Sequence, residues 1–340
     1  MELNIENPEL LRGYLRQRRE GCPDTPESIE VLRGGVSNRT VRVSWSGGDT
    51  WVLKQALSKL RVEADWFSPP ERIYREAAGI EHLPRWLPEG SVPRLVFLDR
   101  EHFLLAMEAV PEPHENWKAL LMRGVVDTEL MVQFGKILAA LHLGSSGDPI
   151  GREAFADRSF FESLRVEPYY GYSAKQVGEA SGFLRELIET TNERRDCVVH
   201  GDYSPKNLLV HQERLILLDH EVIHLGDPAF DVGFSMTHLL SKAHHVAGRR
   251  GAFREAARLY WETYSKGLGD LDAGKDFESR CVRHTLACLL SRVDGRSPLE
   301  YLTEAEKSEQ RRVSLLFMGA TPNCMPELID AFCNALNSCR

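Results

Sequence analysis

A chain of 340 residues, 42% hydrophobic and 27% charged, is too long for one ordinary domain and too apolar for wholesale disorder. Its 42 Lys and Arg against 50 Asp and Glu leave a net charge of −8, without the broad positive field that grips a phosphate backbone. Nucleic acid is therefore a poor partner, and a cationic or neutral small substrate fits the acidic balance better.

In chain order, Met1 to Glu20 is polar and lacks the apolar region of a signal peptide. Short β-rich runs follow at 29–33, 40–45, 51–55, 94–98 and 103–109. Gly34-Gly35 and Ser46-Gly47-Gly48-Asp49 break them, the second as a hairpin turn. Pro69-Pro70 opens a helix around 70–83. Beyond Pro111-Glu112-Pro113, apolar residues recur at helical spacing over 131–142, 183–190, 252–264, 281–290 and 327–336. One β-rich island, 198–218, interrupts them. The fold class expected is α+β and bilobal: a mainly antiparallel sheet lobe over 1–110, a larger helical lobe over 111–340, and a ligand cleft between. No run approaches the ~18–20 apolar residues of a membrane span. Seven cysteines without a C-x-x-C pair read as reduced thiols in a cytoplasmic chain, Cys281 and Cys288 as core residues.

The island carries the chemistry. His200-Gly201-Asp202-Tyr203-Ser204-Pro205-Lys206-Asn207 precedes an apolar run and then Asp219-His220-Glu221. The spacing His-x-Asp-x4-Asn, strand, Asp matches the kinase pattern of a catalytic loop and a metal-binding aspartate. A phosphoryl acceptor needs a carboxylate to take its hydroxyl proton, and Asp202 fits that task. Mg²⁺ between phosphate oxygens needs hard oxygen ligands, which Asn207 and Asp219 supply, with Glu221 as a third. Taken singly, Asp202 reads as a turn former and Asn207 as a local cap; the combination is what points to chemistry.

This segment resembles the aminoglycoside phosphotransferase, choline kinase and methylthioribose kinase family, whose fold is protein-kinase-like. The resemblance covers roughly residues 28–302, with methylthioribose kinase the nearest likeness. Asp227-Pro228-Ala229-Phe230-Asp231-Val232-Gly233 resembles the family's Asp-Pro-x-x-Asp-x-Gly run, which implies that Asp231 braces the catalytic loop. Ser204 departs from the histidine that many members carry.

An ATP- and Mg²⁺-dependent enzyme also needs a nucleotide clamp. Backbone N–H groups at a tight Gly turn cradle phosphates; the Gly34-Gly35-x-Ser37-Asn38 turn offers one and resembles the family's loop. Trp51-Val52-Leu53-Lys54 delivers a lysine in the manner of V-A-I-K, with Glu76 as its carboxylate partner and Glu71 and Glu81 as competitors. The resemblance implies that the Glu108 carbonyl and Val110 amide hold adenine, with Met107 behind it. Neither a Rossmann nor a P-loop signature is present. ATP against GTP stays open.

Eleven residues separate Asp219 from Asp231, too few for the peptide-docking activation segment of a protein kinase. A small hydroxyl-bearing acceptor, a sugar-like or amino-alcohol metabolite, is expected. Arg283 falls where methylthioribose kinases carry an Arg-Arg pair, and His284 replaces the second arginine. Arg283 reads equally as a substrate clamp or a helix-face salt bridge. Glu108, Glu112 and Glu115 would attract an amine or form a solvated acidic loop, and Lys206 would approach phosphate or stand in solvent. The turn over 292–298 is open as a pocket wall. The expected activity is small-molecule O-phosphotransfer. The alternatives are an aminoglycoside-type antibiotic phosphotransferase and a nucleotide-binding module without turnover. The oligomeric state stays open.

Overall fold

The computed structural model describes residues 3–18, 26–32, 35–61, 65–269, 271 and 274–336. Strands β1 (Ser28–Val31), β2 (Asn38–Ser44), β3 (Thr50–Ala56), β4 (Leu95–Asp99) and β5 (Leu104–Glu108) form one antiparallel sheet in the order β1-β2-β3-β5-β4. The expected β2–β3 hairpin closes through Trp45 and Asp49, with Gly48 at φ +94°. Side chains alternate between the two faces of a strand, and this splits β3. Trp51 and Leu53 pack with Val41 and Val43 against Leu11 and Leu15 of α1 (Pro8–Gln17), a helix the sequence reading did not anticipate. Ala56 instead joins Leu105 and Met107 over Ile73, Ala77 and Ile80 of α2 (Arg72–His82). Lys54 has the parity of Ala56, so it faces α2.

Helix α2 has a second stripe. Arg72, Glu76 and Gly79 follow at i, i+4 and i+7, hence on one side of the helix. A Cβ built on Gly79 would stand 2.5 Å from the Cβ of His220, so the missing side chain is what lets α2 lie against that residue. Gly79→Ala is expected to lower Tm and impair activity. Overpacking costs about 1–3 kcal/mol and exceeds the roughly 0.5–1 kcal/mol that Ala gains over Gly inside a helix. A thermal melt that rises instead would show that His220 yields freely.

After β5 come β6 (His114–Asn116), α3 (Trp117–Met122), α4 (Thr128–Ser145), α5 (Pro149–Ala154), α6 (Ser159–Phe161), a π-helical stretch Glu162–Gly171, α7 (Tyr172–Gln176) and α8 (Ser181–Glu193). The β-rich island resolves into β7 (Cys197–Val199), β8 (Leu208–His211) and β9 (Arg214–Leu217), followed by β10 (His224–Gly226). The chain ends in α9 (Pro228–His245), α10 (Arg250–Gly267), α11 (Phe277–Asp294), α12 (Glu304–Gly319) and α13 (Met325–Ala335). The five expected helical segments fall on α4, α8, α10, α11 and α13. Helices α9 and α12 were not anticipated. From Pro228 to His244 every side chain of α9 is buried, so no amphipathic stripe marks it. Its start is nonetheless legible in Asp227-Pro228: the aspartate accepts from the Ala229 N–H at 3.0 Å, and proline occupies the first helical position.

Two short ladders, β7 with β10 and β6-β8-β9, sit on this helical mass and leave the loops 200–207 and 218–223 between them. The first loop is anchored from below: Tyr203 stacks on Phe134 with centroids 4.5 Å apart and donates to the Phe134 carbonyl at 2.7 Å. Among the described residues no helix is long and apolar enough to cross a membrane. The five described cysteines (Cys197, Cys281, Cys288, Cys324 and Cys333) are free thiols, Cys281 and Cys288 both buried in the core.

Candidate active site

The two loops border a cleft of about 750 Å³, to which they contribute Asp202, Ser204, Lys206, Asp219 and Glu221. Lys54 Nζ lies 2.5 Å from Glu76 Oε1 and 3.3 Å from Asp219 Oδ1. Glu71 and Glu81 take no part in this pair. Burial opposes the ammonium charge, but Asp219, Glu76 and Glu221 outweigh it and hold Lys54 above its ordinary range. One ammonium cannot compensate two buried carboxylates equally. Burial also opposes Asp219, yet Lys54 and Lys206 hold its carboxyl low. Glu76 bears the difference: burial pushes it up, against the pull of Lys54. Asp219 itself has φ +68°, a left-handed conformation that aspartate tolerates better than most residues.

The catalytic-loop candidates are fixed from behind. Both oxygens of buried Asp231 accept backbone N–H groups, from His200 at 2.6 Å and Gly201 at 2.8 Å, and His142 Nε2 lies 3.2 Å away. Burial would raise the Asp231 carboxyl, but His142 and these amides keep it low. Gly201 has φ +76°, and a Cβ there would meet the Val222 carbonyl at 2.9 Å, so glycine is required. Asp202 Oδ2 receives Arg165 Nη2 at 2.9 Å and Asn207 Nδ2 at 2.7 Å. The Asn207 amine also donates to the Asp202 carbonyl at 3.0 Å. With its amine so committed, the Asn207 side chain has its oxygen left to offer a ligand.

Sequence reasoning missed two cations here. Arg165 comes from the π-helical stretch, which carries no sequence signal, and also donates to the Gly201 carbonyl at 3.0 Å. Arg72 is fully buried and reaches Glu221 Oε2 at 3.1 Å and the carbonyls of Leu57 at 2.8 Å, Ser68 at 3.1 Å and Pro69 at 3.1 Å. It also holds the Ser37 carbonyl. One guanidinium thus ties the turn after β1 to the metal-side carboxylate. Burial and Asp219 push Glu221 up, against Arg72.

The donor set suits Mg²⁺. Glu76, Asp202, Asp219 and Glu221 are ion-paired with Lys54, Arg72 and Arg165, with Lys206 adding to the field at Asp219, and the carboxylate oxygens of Asp219 and Glu221 and the Asn207 oxygen are hard donors. Among the described residues no three His, Cys, Asp or Glu side chains converge as a closed metal cage. Mg²⁺ is commonly bound by one or two carboxylates together with waters and substrate phosphates.

The remaining candidates divide. Gly35 and Ser37 line the cleft, and Asn38 lies buried beside Ser37, donating to its hydroxyl at 3.3 Å; Gly34 lies outside the described residues. Met107 is buried under the sheet, and the Ala109 N–H pairs with the Thr50 carbonyl at 2.9 Å, between Glu108 and Val110. Ser204 is buried at the cleft wall, and Lys206 is exposed on its rim. Arg283 stands apart from the cleft, which corrects the substrate reading. It pairs with exposed Glu186 at 3.0 Å and lies over the Phe183 ring, because its phase on α11 turns it outward. His284 is buried against the Tyr170 hydroxyl at 2.8 Å. The acidic loop is spent on surface pairs, Glu108 with Arg94, Glu112 with Arg42 at 2.7 Å and Glu115 with Arg123. The 292–298 turn does line the cleft, through Arg292, Arg296 and Ser297.

The model of a family described as the phosphotransferase enzyme family matches residues 28–277. Methylthioribose kinase 2 of Oryza sativa subsp. japonica is 23% identical over 243 residues, 63% of this chain and 57% of that protein. Methylthioribose kinase 1 of the same plant is 23% identical over 254 residues, 66% of this chain and 58% of that protein. The chain therefore spans less than two thirds of the length of these curated relatives. Among solved structures, an amicoumacin kinase in complex with AMP-PNP, Ca²⁺ and Ami aligns with TM-score 0.58 at 14% identity, covering 87% of this chain and 90% of that one. A choline/ethanolamine kinase family protein from Mesorhizobium loti aligns with TM-score 0.52 at 14% identity, covering 97% and 99%. The fold is the bilobal, kinase-like α+β architecture.

Proposed function

The chain belongs to the phosphotransferase enzyme family, and on that premise we propose that it is an ATP- and Mg²⁺-dependent kinase that phosphorylates a hydroxyl group of a small molecule. The observation that carries this reading is the convergence of Lys54, Glu76 and Asp219 beside the Asp202–Asn207 pair. When bound, ATP would supply the phosphoryl group, and Mg²⁺ would offset the charge of the carboxylates and of the phosphates. Asn207 and Asp219, with Glu221, hold the metal. Lys54, aimed by Glu76, neutralises phosphate oxygens, and the Gly35–Asn38 turn covers them. Glu108 and Val110 hold the base through their backbone, with Met107 beneath it. Asp202 orients the acceptor hydroxyl and takes its proton as the new bond to the γ-phosphorus forms and the bond from that phosphorus to the β-phosphate oxygen breaks, with ADP leaving, while Arg165 and Asn207 keep the carboxylate in place. The nucleotide lobe ends near residue 110, and the compartment is the cytoplasm, which the free thiols support.

A thermal melt tests the nucleotide half. At ligand concentrations near 100 Kd, binding contributes about 2.7 kcal/mol, which for a chain of this size corresponds to roughly 4 °C. That shift is expected with ATP and Mg²⁺ together, and Lys54→Met is expected to reduce it. ADP release over a panel of sugars, amino alcohols and kanamycin then separates a metabolite kinase from an antibiotic phosphotransferase. A full thermal shift with no ADP release from any acceptor would favour a nucleotide-binding module.

A further inference from the structure

The acceptor end of the cleft holds cations that phosphoryl transfer does not use. Arg292 is 9% exposed, yet among the described residues no carboxylate lies within ion-pair distance of it. Its Nη1 donates to the Tyr169 hydroxyl at 2.9 Å and to the Ser297 carbonyl at 2.5 Å and hydroxyl at 3.0 Å; its buried Nε has no partner. Lys242 is 1% exposed and among the described residues donates only to the His238 carbonyl, at 3.2 Å. Its Nζ lies 5.5 Å from the centre of the Tyr301 ring, and that of Lys118 lies 5.6 Å away. The Tyr301 hydroxyl is buried and unpartnered. The single carboxylate among the cleft-lining residues at this end, Glu300, is taken by Lys118, and Arg296 has only Glu167, at 3.8 Å.

Burying a charge without a counter-ion is costly, so such a group either gives up its proton or is matched by an opposite charge, and a guanidinium does not give up its proton. Arg292 on α11 is such a charge, and Lys242 on the adjacent α9 is a buried amine that gains a counter-ion only from outside this cluster when it is protonated. We infer that the acceptor carries, besides the hydroxyl that is phosphorylated, an oxyanion (a carboxylate or a phosphate ester) held by Arg292, Lys118 and Tyr301 above Lys242. The field is strong enough to act on its own members: burial, Lys118 and Arg292 push Lys242 down to about 7. The net charge of −8 pointed instead to a cationic or neutral acceptor. Surface charges are screened beyond about 8–10 Å, whereas buried groups inside the cleft are not. The inference rests on the kinase reading for the place of the reacting hydroxyl, but not for the oxyanion site itself.

Isothermal titration of the full chain, saturated with AMP-PNP and Mg²⁺, tests it with a three-carbon series: D-glycerate, glycerol 3-phosphate, glycerol and 3-amino-1,2-propanediol. One or both anions are expected to bind at least tenfold more tightly than glycerol and the amine. Preference for glycerate assigns a carboxylate, and preference for glycerol 3-phosphate assigns a phosphate ester. Arg292→Gln and Lys118→Gln are each expected to remove most of that preference with AMP-PNP affinity unchanged, and Arg292→Lys to restore part of it. Equal or tighter binding of glycerol or the amine overturns the inference, as does absence of anion binding or a preference that survives both substitutions. AMP-PNP affinity, read by titrating the nucleotide into the unliganded chain, reports separately on the kinase reading: absence of nucleotide binding with anion binding intact removes the kinase and keeps the oxyanion site.

Discussion

Replacing Asp202 by asparagine is expected to lower kcat by about 10²–10⁴-fold, the usual contribution of a positioned base, with nucleotide affinity close to that of the unaltered chain. The substitution keeps the volume, and an asparagine oxygen can still accept from Arg165 and Asn207, which now lie 2.9 and 2.7 Å from Asp202 Oδ2. What is lost is the capacity to take a proton. Because phosphoryl transfer relies mainly on positioning and charge stabilisation, residual turnover above background is also expected. Steady-state kinetics on the best acceptor, with circular dichroism as a control for folding, makes the comparison. Full retained activity would remove Asp202 from the base role while leaving the nucleotide site untouched.

The second large effect concerns stability. Arg72→Met is expected to destabilise the chain by about 3–5 kcal/mol, the cost of removing one partner of a buried ion pair. Methionine fills much of the space but abandons five hydrogen bonds, four of them to main-chain carbonyls around the start of α2 and the ends of the turn before β2 and of β3. It also leaves Glu221 buried beside Asp219 with its main counter-charge gone. A double variant, Arg72→Met with Glu221→Gln, removes the orphaned carboxylate and is expected to recover part of the loss. Urea denaturation of the single and double variants reads both numbers. A single variant as stable as the parent would show that solvent reaches Glu221 when the guanidinium is gone.

Both effects depend on a junction that joins segments far apart in the chain. Lys54 and Asp219 are 165 positions apart, and Arg72 and Glu221 are 149 apart. Lys54 and Glu76 could still be paired from the sequence, since a strand resembling V-A-I-K calls for a carboxylate on the next helix and Glu76 stands just before the Ala77-Ala78 pair. Asp202, Asn207 and Asp219 were legible for a related reason: they lie on two short loops flanking one ladder, where local spacing sets geometry. Arg283 shows the opposite case. Its position on a helix was readable, but helical phase alone did not say which side α8 would cover, and Glu186 and Phe183 of α8 take the side chain.

By itself, the sequence determined the class of chemistry, the lysine strand with its partner helix, and most helices with one apolar stripe, because each depends on spacing within a contiguous run. It could not disclose α9, whose every face is buried, nor the π-helical stretch that delivers Arg165. Tertiary structure alone decided which cations stand beside which carboxylates, and which, like Arg292 and Lys242, are buried with none. The reason is physical: the cost of a buried charge is set by whatever the fold brings within a few ångströms, and here those partners come from elements separated by much of the chain.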